Sequence, residues 1–278
     1  MTQASSEIES GETTVLYEAN NAAVTLVLNR PSQMNALNRL LAKQLRESAQ
    51  RAVDDDEARV IVIQGAGSNF MAGGDLREFQ DSLMLDPSAR DAAFGGLIDD
   101  AHSAIRILRS AGKPVVASVR GAVAGFGIGL LAACDLAICS DDAFFKLAYS
   151  QIGATPDGGA TYALPRMAGE KRAMELTMLS DRIDPATAQS IGLVNKMVPA
   201  ATLDDEISEL VRRLANLPPG ALAKTKILVQ RGNTARLDDQ LELEKRTFID
   251  CAGSPDFREG VTAFLDRRPP AFGVRQTG

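Results

Sequence analysis

The stretch from Lys113 to Asp135, KPVVASVRGAVAGFGIGLLAACD, limits the fold more than any other part of the chain. Val115, Val116 and Val119 form a short β-branched run that reads as a buried strand. The run breaks into Gly121-Ala-Val-Ala-Gly125-Phe-Gly127-Ile-Gly129, followed by the apolar helix formers Leu130, Leu131, Ala132 and Ala133. A strand that enters glycines opening a helix leaves backbone N–H groups without partners at the helix start. The helix dipole adds positive potential at the same point. Such a place suits a phosphate, a carboxylate or a developing oxyanion. The same glycines equally suit close packing of a helix on a sheet. The stretch alone leaves both readings open.

A second strand-to-glycine junction precedes it. Arg59-Val-Ile-Val-Ile-Gln64 predicts a buried strand entering Gly65-Ala-Gly-Ser-Asn-Phe-Met-Ala-Gly-Gly-Asp75. This loop lacks the third glycine and the following acidic strand end of a dinucleotide fingerprint, and neither loop holds a Walker lysine. Two convergent loops with free N–H groups do suit one carbonyl oxygen that becomes an oxyanion.

Around these junctions the pattern alternates. Strands are predicted at Thr13–Glu18 and Ala22–Leu28, joined at Asn20-Asn21, and again at Leu136–Cys139 and Ala143–Lys146. Helical spacing links Leu37, Leu40, Leu41, Leu45, Ala49 and Val53, and a further helix is predicted from Leu97 to Arg109. The segment Asp81–Gly96 reads as polar and mobile. Alternation of this kind implies an α/β architecture. After Thr202 the strand signal stops. Leu203, Ile207, Leu210, Val211 and Leu214 share one helical face, as do Phe257, Val261, Phe264 and Leu265. The expected organisation is a tail at 1–12, a core at 13–201 and a helical region at 202–278.

Composition removes several function classes. The 278 residues are 45% hydrophobic and 24% charged, ordinary for a globular chain. A net charge of −6 provides no global basic field for nucleic acid, and aromatics are few, with no Trp to stack bases. Cys134, Cys139 and Cys251 are odd in number and make no CxxC, which argues against a disulfide framework or a zinc site. The single histidine, His102, excludes most histidine-based metal sites. No apolar run reaches membrane-span length. The polar, acidic start MTQASSEIESGETT has neither a signal nor a transit pattern, so a frayed tail and a cytoplasmic protein are expected.

Phe70-Met-Ala-Gly-Gly-Asp75, then Gly121-Ala-Val-Ala-Gly-Phe-Gly127, then Cys134-Asp135, resemble the crotonase (enoyl-CoA hydratase/isomerase) superfamily. The resemblance runs from Asn29-Arg-Pro-Ser-Gln-Met-Asn-Ala-Leu37 to Arg258-Glu-Gly-Val-Thr-Ala-Phe264. It implies an α/β fold with a crotonase-like ββα spiral core and a helical C-terminal trimerisation region. It further implies an acyl-CoA thioester substrate, with coenzyme A as part of that substrate and no tightly bound cofactor. A homotrimer or a hexamer built as a dimer of trimers is expected, with no nucleic-acid or membrane partner.

Residue by residue, the resemblance places the oxyanion-hole donors on the N–H groups of Gly74 and Phe126, the latter a position usually held by glycine. Family hydratases carry two glutamates, whose places here hold Gly129 and Tyr149. A carboxylate returns at Asp157, where aspartate-dependent isomerases and dehalogenases of the superfamily keep a functional one. Asp157 before Gly158-Gly159 suits a helix N-cap equally. Tyr149 is a candidate for the acyl pocket or for substrate hydrogen bonding, and equally for packing. His102 falls where the dehalogenases carry a water-activating histidine, though a lone helical histidine is more often structural. Asp75 is expected to cap the helix after the first loop. For coenzyme A and substrate the resemblance points to Arg30, Met34, Ala36, Ala72, Asp75, Leu76, Arg77 and Gly125. It adds Phe264 and Arg267, reaching a neighbouring subunit's nucleotide.

The sequence thus favours an enoyl-CoA isomerase. Its rivals are an atypical hydratase, a dehalogenase-like hydrolase using Asp157 and His102, and a non-catalytic acyl-CoA-binding protein.

Overall fold

The computed structural model of the chain describes residues 12–20 and 22–273. Asn21 and nearly all of the predicted tail lie outside the described residues. The strands are β1 (Val15–Asn20), β2 (Ala23–Leu28), β3 (Val60–Gly65), β4 (Val115–Val119), β5 (Ala122–Ala124), β6 (Leu136–Ser140), β7 (Phe144–Lys146) and β8 (Lys196–Val198). Six of them form one sheet in the order β1-β2-β3-β4-β6-β8. Only the β1–β2 hairpin is antiparallel; every other pair in this sheet is parallel. Parallel strands need crossovers, which the helices supply.

The chain winds as a spiral. Successive turns add a strand to the large sheet and a short extended piece to a second row. In that row Leu37 bridges Gly74, Met71 bridges Val123, β5 pairs with β7, and Phe145 bridges Ile183. This is the ββα spiral core expected from the resemblance.

Three helices cover the inner face of the sheet: α1 (Arg39–Asp54), α3 (Pro87–Ser110) and α4 (Phe126–Ala133). All eight residues of α4 are buried. A helix apolar on every side has no solvent face, so α4 becomes the centre of the core. Its residues share one buried cluster with Leu41 and Leu45 of α1, Ala104 and Leu108 of α3, and Ile63 and Ala117 of the sheet. The opposite face of the sheet is covered by α8 (Leu203–Ala215), whose Leu203 and Ile207 meet Val60, Val62, Val116 and Ile138. The helical face read from the sequence is the face that is buried.

The segment Asp81–Gly96 corrects the sequence reading. It is not a mobile loop. It holds the end of α2 (Leu76–Leu83) and the first turns of α3. Asp86 caps α3, accepting the N–H groups of Ser88 and Ala89 at 3.0 and 3.1 Å, with Pro87 at the first helical position. Phe94 of α3 meets Phe79 of α2 edge to face, centroids 5.2 Å apart. Gly95 and Gly96 weaken the local helical signal; packing of α2 on α3 overrides it. Strands β5 and β8, three residues each, are too short to leave a strand pattern in the sequence.

Beyond α8 come α9 (Pro219–Gly232), α10 (Leu237–Ala252) and α11 (Pro255–Leu265). Lys226 ties α9 to the core: its Nζ lies 2.8 Å from Asp135 and donates to the Leu108 and Lys113 carbonyls. Phe248, Ile249, Phe264 and Leu265 stand exposed on α10 and α11. Among the described residues no helix is long and apolar enough to cross a membrane.

Candidate active site

The two glycine-rich loops run against each other in the second row. A Cβ on Gly73 would lie 3.3 Å from Gly125 Cα, and a Cβ on Gly125 would lie 3.2 Å from Gly73 Cα. Both residues also have positive φ, +92° and +50°. Glycine is required at each position for space as well as for backbone conformation. Gly125 turns the chain from β5 into α4, so Phe126 is the first residue of that helix. Its N–H has no acceptor within the helix. The N–H of Gly74 likewise finds no acceptor among the described residues. Gly74 and Phe126 each follow one of the packed glycines, and both border one cavity.

That cavity has a volume of about 770 Å³. Its walls are mainly apolar: Leu76, Phe79 and Leu83 from α2, Phe94, Leu97 and Ile98 from α3, and Ile152 beyond. Asp157 is its only carboxylate among the described residues, and Tyr149 is its other titratable group. The two are bonded: the Tyr149 hydroxyl donates to Asp157 Oδ1. The second carboxylate oxygen has no protein partner among the described residues. Burial, then the Asp157 charge, then this hydrogen bond push the Tyr149 phenol far above its ordinary pKa, so it stays a donor. The Tyr149 ring also lies within 3.9 Å of where a Gly125 Cβ would stand. One side chain therefore spans from the packed glycines to the carboxylate.

The first loop is held from behind. The Asn35 side-chain amide donates to the carbonyls of Ala66 and Asn69 at 3.0 and 2.7 Å, and its carbonyl accepts from Arg30 N–H. Ala72 N–H donates to the Met34 carbonyl, and Asp75 N–H to Leu37. Asp75 caps α2 through the Arg77 N–H, as expected. It also pairs with Arg30 at 2.8 Å, the two side chains 12% and 10% exposed. Arg30 is thus turned inward onto Asp75 and the Ala36 carbonyl. Burial acts to raise the Asp75 pKa, but bonds from Arg30 and the Arg77 N–H prevail and lower it. A depressed carboxylate pKa stabilises the fold above its unfolded value, and that gain disappears as pH falls through the folded value. Asp75→Asn is expected to melt below the wild type at neutral pH. The gap should close as the solution is acidified through the carboxylate range, measured by thermal melts.

The sequence-predicted residues divide into three groups. Gly74, Phe126, Tyr149, Asp157, Ala72, Leu76 and Gly125 converge on the cavity. Arg30, Met34, Ala36, Asp75 and Arg77 lie behind or beside the first loop, outside its walls. Phe264 is 83% exposed and borders a separate apolar cleft with Phe257 and Phe272, and Arg267 follows α11. His102 stands half-buried on α3 and does not reach the cavity. Its Nε2 accepts the Gly158 N–H at 3.2 Å. Sequence reasoning missed Phe79, Phe94, Leu97, Ile98 and Ile152. The spacing of Leu76, Phe79 and Leu83, and of Phe94, Leu97 and Ile98, carries the signal for the two helical walls.

Gly74 and Phe126 share an apolar cavity with Asp157, its one carboxylate among the described residues, an arrangement that can polarise a carbonyl and move a proton next to it. Comparison with known proteins gives the family. The chain belongs to the enoyl-CoA hydratase/isomerase family, whose model matches residues 18–275. It is 36% identical to 1,2-epoxyphenylacetyl-CoA isomerase of Escherichia coli, with 93% of this chain and 97% of the relative covered. It is 35% identical to a probable enoyl-CoA hydratase of Rhodobacter capsulatus, over the same shares. A crystal structure of an enoyl-CoA hydratase from Polaromonas sp. JS666 superposes with a TM-score of 0.87 at 32% identity, covering 93% of this chain and 99% of that one.

Proposed function

We propose that this family member is an enoyl-CoA isomerase that shifts a double bond through a thioester enolate. The observation that carries the reading is Asp157, the one carboxylate among the described residues in a cavity bordered by Gly74 and Phe126, whose N–H groups have no partner there among those residues. The thioester carbonyl oxygen sits between the N–H groups of Gly74 and Phe126. As the unprotonated oxygen of Asp157 takes the α-proton, the electron pair moves into the carbonyl and the two N–H groups hold the resulting oxyanion. The same carboxyl, whose proton exchanges with solvent while it is held, then protonates the γ-carbon, so a β,γ double bond becomes α,β and nothing is added or lost. The Tyr149 hydroxyl holds one carboxylate oxygen, leaving the other for the substrate.

Hydration by a glutamate pair finds little support. The first glutamate's place is Gly129, where a Cβ would lie 2.5 Å from the Gly158 carbonyl oxygen. The second is Tyr149, already bonded to Asp157. The similarity to an isomerase of Escherichia coli agrees with this reading. Coenzyme A enters as part of the substrate, and a trimeric assembly through the exposed apolar residues of α10 and α11 accompanies the proposal.

A panel of unsaturated, aromatic and ring-containing CoA thioesters, assayed for product and for α-proton exchange, tests the function. Tyr149→Phe is expected to lower kcat roughly tenfold with KM little changed, because it loosens the base without removing it. Steady-state kinetics on the thioester turned over by the wild type measure this. Unchanged kcat would assign Tyr149 to packing.

A further inference from the structure

Gly158, whose N–H belongs to the peptide that joins it to Asp157, is gripped on three sides. Its N–H donates to His102 Nε2 at 3.2 Å. The residue, at φ +59°, lies against the Phe126 ring: a Cβ there would be 2.8 Å from Phe126 Cδ2 and 3.5 Å from Gly129 Cα. From the other direction a Cβ on Gly129 would be 2.9 Å from Gly158 Cα. Three features that look unrelated in the sequence therefore meet at one residue, Gly158. They are the lone histidine, the phenylalanine at a donor position, and the glycine at a glutamate position.

We infer that His102 is a positioning residue for Asp157, acting through the Gly158 peptide rather than on substrate or water. The inference rests on the reading of Asp157 as the base. The Gly158 N–H is coplanar with the Asp157 carbonyl, so holding it restrains the ψ of Asp157 and the backbone from which its carboxylate projects. Nε2 accepts this bond and therefore carries no proton while it is made, which leaves the ring's proton on Nδ1. A nitrogen engaged in this way, outside the cavity wall, is not available to activate water there. Phe126 completes the arrangement. Phe126 borders the cavity as the proposed N–H donor while its ring bears on Gly158 next to Asp157, so donor and base share one support.

The test uses the full-length protein and β,γ-unsaturated hexenoyl-CoA, followed by α-proton exchange in deuterated water. Binding is measured separately by calorimetry with hexanoyl-CoA. Three substitutions grade the acceptor. His102→Gln places an oxygen as many bonds from Cβ as Nε2, His102→Asn places it one bond short, and His102→Leu has none. Exchange turnover should fall at least tenfold in Leu and Asn and recover in Gln, with hexanoyl-CoA affinity within about twofold throughout. Should Leu fail to fold, the Gln and Asn pair carries the comparison. Wild-type turnover in Asn or Leu overturns the inference. So does an equal loss in Gln and Asn with unchanged melting, which would make the imidazole itself the required group. Asp157→Asn, run in parallel, separates the two claims. Exchange that survives it removes the base assignment and the role of His102 together. Exchange lost in it but kept in Leu removes the role of His102 alone.

Discussion

Asp157→Asn is expected to lose α-proton exchange and isomerisation by roughly a thousandfold or more, about 4 kcal/mol of transition-state stabilisation. Asparagine keeps the size of the side chain and an oxygen to accept from Tyr149, so the loop and cavity should persist. It cannot take a proton. Affinity for a saturated acyl-CoA should therefore stay within a few-fold of the wild type, and the melting temperature should change little. Chemistry and binding separate in this variant because the cavity walls and the two N–H groups do not depend on the carboxylate. Kinetics and calorimetry on the same preparation check both halves. If turnover falls only with affinity, Asp157 belongs to the binding surface.

Restoring the hydratase residue at the helix is the second large effect. Gly129→Glu is expected to yield no hydration. It should instead destabilise the fold by about 2–3 kcal/mol and take isomerisation down with it. Any Cβ at this position meets backbone, not a pliable side chain: the Gly158 carbonyl oxygen at 2.5 Å and carbon at 2.8 Å. Relief requires α4 or the Asp157–Gly158 loop to move. Either movement shifts Asp157, the proposed base, or the Phe126 N–H proposed as donor. Thermal melts and the hydration and isomerisation assays read the outcome. A variant that melts like the wild type and adds water to an enoyl thioester would show that the loop yields freely, contrary to this account.

The sequence revealed the parts of the site that local patterning specifies. Valines feeding glycines and then an apolar helix named β4, the turn and α4, because burial and chain reversal leave strong local marks. The second glycine loop and Asp157 were legible for the same reason, or through the family pattern. The Asp81–Gly96 segment was not, since its helices depend on Phe79 meeting Phe94 across a turn rather than on their own propensity. The pairing of Arg30 with Asp75 was missed because a charge in a loop reads alike whether it faces a phosphate or a neighbour 45 positions away. Likewise, His102 and Gly158 are 56 positions apart. Nothing in either local sequence marks the bond, which exists only because α3 and the loop before α5 (Ala160–Ala168) pack against α4. Gly129 was the most informative in hindsight. As a sequence feature it was a missing glutamate; in the fold it is the surface on which the loop carrying Asp157 rests.

The central claim is that one carboxylate opposite two N–H groups moves a proton along an acyl thioester. Incubating the wild-type protein with β,γ-unsaturated hexenoyl-CoA in deuterated water, and reading the product by mass spectrometry and NMR, tests it most directly. The α,β-unsaturated isomer is expected, with deuterium at the α- or γ-carbon and no added oxygen. A product that has gained water, or a thioester that binds and returns without deuterium or bond shift, would contradict it.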